Sequence, residues 1–304
     1  MHLTHIEDVL QVDITSRGNT VSICGTPENT EKAQHVLSTL WSQLEDKEEI
    51  AMPEVDAALR FIESSAPPSS KIRKKKNGKR SYYDEQTLIK TKDKNAIKPR
   101  SPTQEEYINA IRSHDMVFGI GPAGTGKTFL AVATAVEMYL KGEVEKLIFC
   151  RPAVEAGERL GFLPGDILEK IDPYLRPIYD ALHHCMPGDQ VNKKIASGDI
   201  EIAPLAYMRG RTLKNAFAVL DEAQNTTSMQ MKMFLTRMGQ KSRMVITGDP
   251  TQIDLPAGTI SGLHDAQKIL TDIDDVAFVH FTESDVVRHK LVSKIIKAYE
   301  GKRD

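Results

Sequence analysis

The sequence predicts an α/β protein built on a mostly parallel sheet, preceded by a small α+β segment. Three observations carry this. From Ser101 onward, short apolar runs alternate with helix-length stretches, the pattern of strands covered by helices on both faces. One of those runs passes through a glycine-rich loop directly into a helix. Charge divides the 304 residues into three blocks. Residues 1–63 hold 4 basic and 12 acidic side chains, a net of −8; residues 64–100 hold 12 and 3, a net of +9; residues 101–304 hold 24 and 27, a net of −3. Such contrasts mark domain boundaries on each side of the middle block.

The first block predicts a β-β-α unit. Val9–Ile14 reads as a strand, Ser16–Asn19 as a turn and Thr20–Cys24 as the returning strand. Gly25, Thr26 and Pro27 then open a helix with Ala33, Val36, Leu37, Leu40, Trp41 and Leu44 on one face. A second helix is expected from about Pro53 to Glu63. The middle block starts with Ser and Pro and fills with Lys71, Arg73, Lys74, Lys75, Lys76, Lys79 and Arg80. It reads either as a solvated linker or as a phosphate-contacting arm. On the second reading Lys74, Lys75 and Lys76 are RNA-binding candidates, with Tyr82 and Tyr83 available to stack on bases. The third block supplies the strands: Met116–Ile120, Lys146–Cys150, Ala216–Leu220, Arg243–Thr247 and Val276–Phe281.

Bulk properties narrow the class. A hydrophobic share of 40% and a charged share of 27% suit a water-soluble folded chain. No apolar run approaches the length of about 18 residues that a membrane span needs, and the N-terminus lacks a basic-then-apolar signal. A cytoplasmic location is expected. Cys24, Cys150 and Cys185 lie far apart and read as free thiols. His183, His184 and Cys185 form no four-ligand zinc pattern with a second cluster.

The loop Gly121-Pro122-Ala123-Gly124-Thr125-Gly126-Lys127-Thr128 matches G-x-x-x-x-G-K-[ST] between a strand and a helix. Loop amides and the helix N-terminus suit phosphate. Lys127 is expected at the β- and γ-phosphates and Thr128 on Mg²⁺. Asp221 follows the apolar run Ala216–Leu220, where ligands gather at the carboxyl ends of such strands. It is a second Mg²⁺ residue, bound through water, and Glu222 is placed to polarise the attacking water. After Arg243–Thr247 come Gly248, Asp249 and Gln252. Thr247, Asp249 and Gln252 are read as facing the γ-phosphate and the attacking water, Gln252 because its amide both donates and accepts. Gln104, ahead of the phosphate loop, can pair with the N6–N7 edge of adenine, which favours ATP over GTP. The alternative for Gln104 is an exposed residue at a helix start.

These residues together resemble the PhoH-like family of P-loop ATPases. The stretches Arg151–Asp166, Pro204–Leu213, "LDEAQNTT", "TGDPTQIDLP" and "DVVRHKLV" stand in family order across nearly all of residues 98–300. The family in turn resembles the motor core of superfamily 1 helicases. The resemblance implies a RecA-like sheet, ATP hydrolysis with Mg²⁺, a role in RNA metabolism and ring-like homo-oligomers, a hexamer among them. It also implies that Arg288 supplies charge to the departing phosphate, donated by a ring neighbour. Residues 1–63 resemble the second half of a KH-like RNA-binding segment, yet contain no Gly-x-x-Gly loop. An appended nuclease domain is not expected in this length. Three functions follow as expectations: an ATPase coupled to RNA binding, unwinding or remodelling; an ATP-driven switch that recruits an RNA-processing protein without translocating; and a nucleotide-dependent binding module. Glu222 and Gln252 argue against the third.

Overall fold

The computed structural model describes residues 2–18, 20–44, 50–64, 88–90, 96–152 and 167–287, with isolated positions beyond. Lys74, Lys75, Lys76, Tyr82, Tyr83 and Arg288 lie outside the described residues. The chain divides into two compact units.

The smaller unit runs α1 (His2–Leu10), β1 (Asp13–Arg17), β2 (Thr20–Cys24), α2 (Pro27–Leu44) and α3 (Met52–Ser64). Its start differs from the sequence reading. Val9 and Leu10 close a helix, because Ile6 and Leu10 both bury one turn apart. The strand therefore starts at Asp13 and runs through Ser16 and Arg17, which the sequence placed in the turn. β1 and β2 pair antiparallel, Asp13 opposite Cys24 and Arg17 opposite Thr20. On α2 only Ala33, Val36 and Leu40 are buried. Trp41 and Leu44 are exposed, Trp41 at 69%.

The larger unit begins inside the expected linker. Leu88, just before a short antiparallel pair, β3 (Ile89–Lys90) and β4 (Ala96–Ile97), and Ile97 within it both bury in this unit's core. The larger unit takes in Thr87–Lys98, part of the 64–100 stretch expected as a linker, while Pro99–Pro102 group with the smaller unit. The unit continues with α4 (Pro102–Ser113), β5 (Met116–Ile120), α5 (Lys127–Leu140), β6 (Lys146–Arg151), α6 (Ile167–Cys185), α7 (Gly188–Ser197), β7 (Ile200–Pro204), β8 (Ala216–Leu220), α8 (Ser228–Leu235), β9 (Arg243–Gly248), α9 (Gly262–Leu270) and β10 (Val276–His280). Six strands form one parallel sheet in the order β10-β5-β9-β8-β6-β7. One face carries residues of α4, α5, α6 and α7; the other carries α8 and α9.

This order positions the site. β9 lies between β5 and β8, with Ile120 beside Gly248 and Leu220 beside Ile246. Three loops therefore leave adjacent strand ends: the glycine-rich loop after β5, Asp249–Gln252 after β9 and Asp221–Asn225 after β8. β8 and β9 are buried almost throughout, which is why they read as continuous apolar runs. β7, Ile-Glu-Ile-Ala-Pro, was not read as a strand. It is an edge strand with half-buried Glu201, and its shorter apolar run is ambiguous from sequence.

The helix after the glycine-rich loop is also held electrostatically. Glu137 of α5 is buried and accepts from Arg112 of α4 at 2.8 and 3.0 Å, and from Lys141 at 2.7 Å. A carboxylate this deep requires such partners.

Candidate functional site: a phosphate loop and its two neighbouring loops

The glycine-rich loop closes over backbone geometry that only glycine enters cheaply. Gly121 has φ 150 and Gly126 φ 84. A Cβ on Gly121 would collide with the Phe281 carbonyl oxygen. Gly126 caps α5 in the left-handed region, turning the helix N-terminus toward the loop. Lys127 is buried and folds back over the loop, donating to the carbonyls of Gly121 and Pro122 at 2.7 Å each. Thr125 Oγ1 also donates to Pro122, at 3.0 Å.

Asp221 is the convergence point. Its Oδ1 accepts from Thr128 Oγ1 at 2.7 Å and from Thr247 Oγ1 at 2.6 Å. The Asp221 backbone N–H donates to the Cys150 carbonyl at 2.9 Å, extending the β6–β8 pairing by one step. Asp221 is 4% exposed. A carboxylate with two hydroxyls, all hard oxygens, is a donor set that fits Mg²⁺. Thr247 joins Thr128 and Asp221 because β9 sits between β5 and β8.

Glu222 turns the chain with φ 53, a left-handed conformation that non-glycine residues rarely adopt and that clusters at functional sites. Its Oε1 pairs with Arg151 at 3.2 Å, and its Oε2 accepts from the Gln224 amide. Gln224 is fully buried and uses both ends of its amide. Its Nε2 also reaches the Gln252 carbonyl at 3.1 Å, and its Oε1 accepts the Asp249 N–H at 3.0 Å. Asp249 was expected at the γ-phosphate. Its Oδ2 accepts the Ala123 N–H at 3.0 Å and its Oδ1 accepts from Thr251, so it ties the β9 loop to the phosphate loop. A buried carboxylate braced by donors does this better than it would face another anion.

One cavity of about 450 Å³ joins these groups. Lys127, Thr128, Asp221, Glu222, Asp249 and Gln252 all line it, with Ala123, Gly124 and Gly126. So does a wall the sequence did not indicate: Phe129 after the loop, and Pro177, Asp180, Ala181 and His184 of α6. Phe129 and His184 meet edge to face, ring centroids 5.4 Å apart. The i, i+4 spacing of Asp180 and His184 is the one signal that could have paired them. Gln104 does not line the cavity. It is 4% exposed and donates to the Thr125 carbonyl at 3.0 Å, so it braces the loop from behind rather than standing exposed at a helix start. Nearby Tyr107 is fully buried under β5. Burial, and secondarily the charge of Asp221, push its phenol well above its ordinary value, so it is neutral in this setting.

The chain before Arg288 also reaches this site. The Val287 N–H donates to the Gly124 carbonyl at 3.1 Å within the same chain. No helix among the described residues is long and apolar enough to cross a membrane.

Comparisons with known proteins give the family. The family described as PhoH-like protein matches residues 96–300. A PhoH-like protein of Mycobacterium bovis is 48% identical over 299 residues, 98% of this chain and 82% of the relative. One of Bacillus subtilis is 48% identical over 295 residues, 97% of this chain and 89% of the relative. Protein PhoH of Escherichia coli is 44% identical over 211 residues, 69% of this chain and 60% of that protein. Among solved structures, the Pif1 helicase of Candida albicans aligns with a TM-score of 0.37 and 17% identity over 67% of this chain and 44% of the helicase. The Sulfolobus solfataricus SWI2/SNF2 ATPase core, solved with dsDNA, aligns with a TM-score of 0.37 and 15% identity, covering 60% of this chain and 44% of that one. With its phosphate loop, parallel sheet and near-full-length relatives, the chain belongs to the PhoH-like family of P-loop NTPases.

Proposed function

We propose that the chain hydrolyses ATP with Mg²⁺ and couples that hydrolysis to RNA binding, unwinding or remodelling in the cytoplasm, as a homo-oligomeric ring. The observation that carries the hydrolysis is the meeting of Thr128 and Thr247 on one oxygen of Asp221, with Glu222 and Gln252 on the wall of the same cavity. A site that only binds a nucleotide needs the phosphate loop; it does not need a second carboxylate and an amide facing the same space.

The chemistry follows from the residues. Loop amides and Lys127 bind the phosphates, which draw the lysine off the Gly121 and Pro122 carbonyls. Thr128 and Asp221 would hold Mg²⁺, which when bound would neutralise charge on the phosphates. Glu222 accepts the proton of the attacking water, and Gln252 orients that water. Phe129 offers a ring on which a planar base can stack. Gln104 holds the loop from behind through the Thr125 carbonyl rather than facing the base.

The RNA half of the proposal rests on the basic block at residues 64–100 and on family membership. Its test is ATP turnover with and without single-stranded RNA across a salt series. Stimulation that falls steeply with salt is expected, because phosphate contacts release counterions. Neutralising Lys74, Lys75 and Lys76 together should flatten that dependence and leave RNA-free turnover near the parent value. Turnover indifferent to RNA at every salt concentration would instead favour a switch that acts on a protein.

A further inference from the structure

We infer that Arg151 is a positioning residue that holds Glu222 away from the water it activates; this rests on the reading of Glu222 as the general base. The strand ends bring the two together. Arg151 is the last residue of β6, and the neighbouring Cys150 carbonyl receives the Asp221 N–H at 2.9 Å, so Glu222 emerges directly alongside. The guanidinium then divides its two ends. Nη2 pairs with Glu222 Oε1 at 3.2 Å, and Nη1 donates to the Tyr174 carbonyl of α6 at 2.6 Å.

The consequence is chemical. A general base needs an oxygen directed at its water. Here one Glu222 oxygen faces a cation and the other accepts from Gln224, so both are engaged by donors. Glu222 lines the cavity and Arg151 does not, so the arginine acts from behind the wall. The left-handed backbone at Glu222 limits how the residue reorients, which leaves the side-chain partners to decide where its oxygens aim.

The arrangement is also built to be released. The Arg151 side chain is 20% exposed and that of Glu222 31%, so water reaches the pair and it is not sealed. The anchor at Tyr174 lies in α6 one turn from Pro177, which lines the cavity and lacks an N–H for the helix ladder. Arg151 therefore connects the base to the helix that walls the nucleotide cavity. A change at that wall reaches Glu222 through one side chain.

The test is steady-state ATPase kinetics on the full chain with Mg²⁺-ATP. Arg151→Ala should raise basal kcat about threefold to tenfold and leave the KM for ATP within about twofold. Arg151→Lys should fall between parent and alanine variant, because an ammonium cannot bracket both Glu222 and the Tyr174 carbonyl. The rise should vanish in Arg151→Ala combined with Glu222→Gln. Thermal melting accompanies each variant; if the alanine variant does not fold, the lysine variant carries the test with a rise of about twofold. An unchanged or lowered kcat in the folded arginine variant overturns the proposal. So does an equal rise on the Glu222→Gln background. Glu222→Gln alone turning over near the parent rate would instead overturn the assignment of the base.

Discussion

The side-chain oxygen of Gln224 accepts the backbone N–H of Asp249 at 3.0 Å, locking the loop after β8 to the loop after β9. The same amide group reaches Glu222 and the Gln252 carbonyl, so one buried side chain sets the spacing of base and water-orienting residue. Gln224→Ala leaves a buried N–H and carbonyl without partners. Such groups cost about 1–3 kcal/mol. A lower melting temperature is expected, together with kcat reduced at least about tenfold and ATP affinity largely retained. Kinetics and calorimetry on the purified variant check both.

Lys127 and Glu222 should separate binding from chemistry. Lys127→Ala removes the cation nearest the transferred phosphate and should abolish nucleotide binding, read by titration with a fluorescent ATP analogue. Glu222→Gln should bind ATP like the parent and slow turnover by about 10²-fold or more, the usual share of a general base. Turnover within a fewfold of the parent would remove Glu222 from that role.

Arg288→Ala should lower turnover by about 10³-fold with nucleotide affinity nearly intact, the share an arginine finger supplies. Mixing it with Lys127→Ala chains assigns the donor. Recovered activity places the arginine on a ring neighbour. Absence of recovery places it on its own chain, where Val287 already donates to Gly124. Sedimentation showing a fully active monomer would exclude the neighbour.

Glu137 pins the helix after the phosphate loop to α4 through Arg112, and it also accepts from Lys141. Glu137→Ala leaves the half-buried Arg112 guanidinium without its carboxylate. A loss of about 2–3 kcal/mol is expected, smaller than for a fully buried pair because Arg112 is partly in water. Urea unfolding midpoints measure it. Arg112→Met at the same site should cost at least as much as Glu137→Ala, since it leaves the more deeply buried Glu137 carboxylate with only the exposed Lys141 as a partner.

Thiol labelling should distinguish the three cysteines. Burial pushes the Cys185 thiol up to about 12 and that of Cys150 higher still, whereas Cys24 is exposed. A maleimide or disulfide reagent near neutral pH should label Cys24 rapidly, and Cys150 and Cys185 only after unfolding. The raised folded values set the sign of the pH dependence. Stability from these two thiols is intact below about 8.5, where unfolded thiols ionise, and declines as pH rises from there toward their folded values. Rapid labelling of all three in the native state would contradict the packing of α6 and β6.

Much of the larger unit was legible because its signals are local. Met116–Ile120 and Ala216–Leu220 have the bounds their apolar runs suggest. The phosphate loop is a covalent neighbourhood whose strand, glycines and helix sit in one stretch of chain. The start of the smaller unit was less legible: a four-residue spacing, Ile6 to Leu10, outweighed the alternation that suggested a strand. The sequence marks His184 only as part of a possible metal cluster and does not mark Gln224, Phe129 or Asp180, since each is an ordinary residue type until its surroundings are known.

The sequence by itself determined which loops carry chemistry: Gly121–Thr128, Asp221–Glu222 and Thr247–Gln252 each bring their polar groups within a few residues of a buried strand end. Only the tertiary structure decided how those groups are spent. The order β5-β9-β8-β6 puts Thr247 beside Asp221 and Arg151 beside Glu222, and it turns Asp249 toward the Ala123 N–H. Those pairings depend on which strand ends are neighbours. Strand order is set by burial across the whole sheet, so no local stretch of chain encodes it.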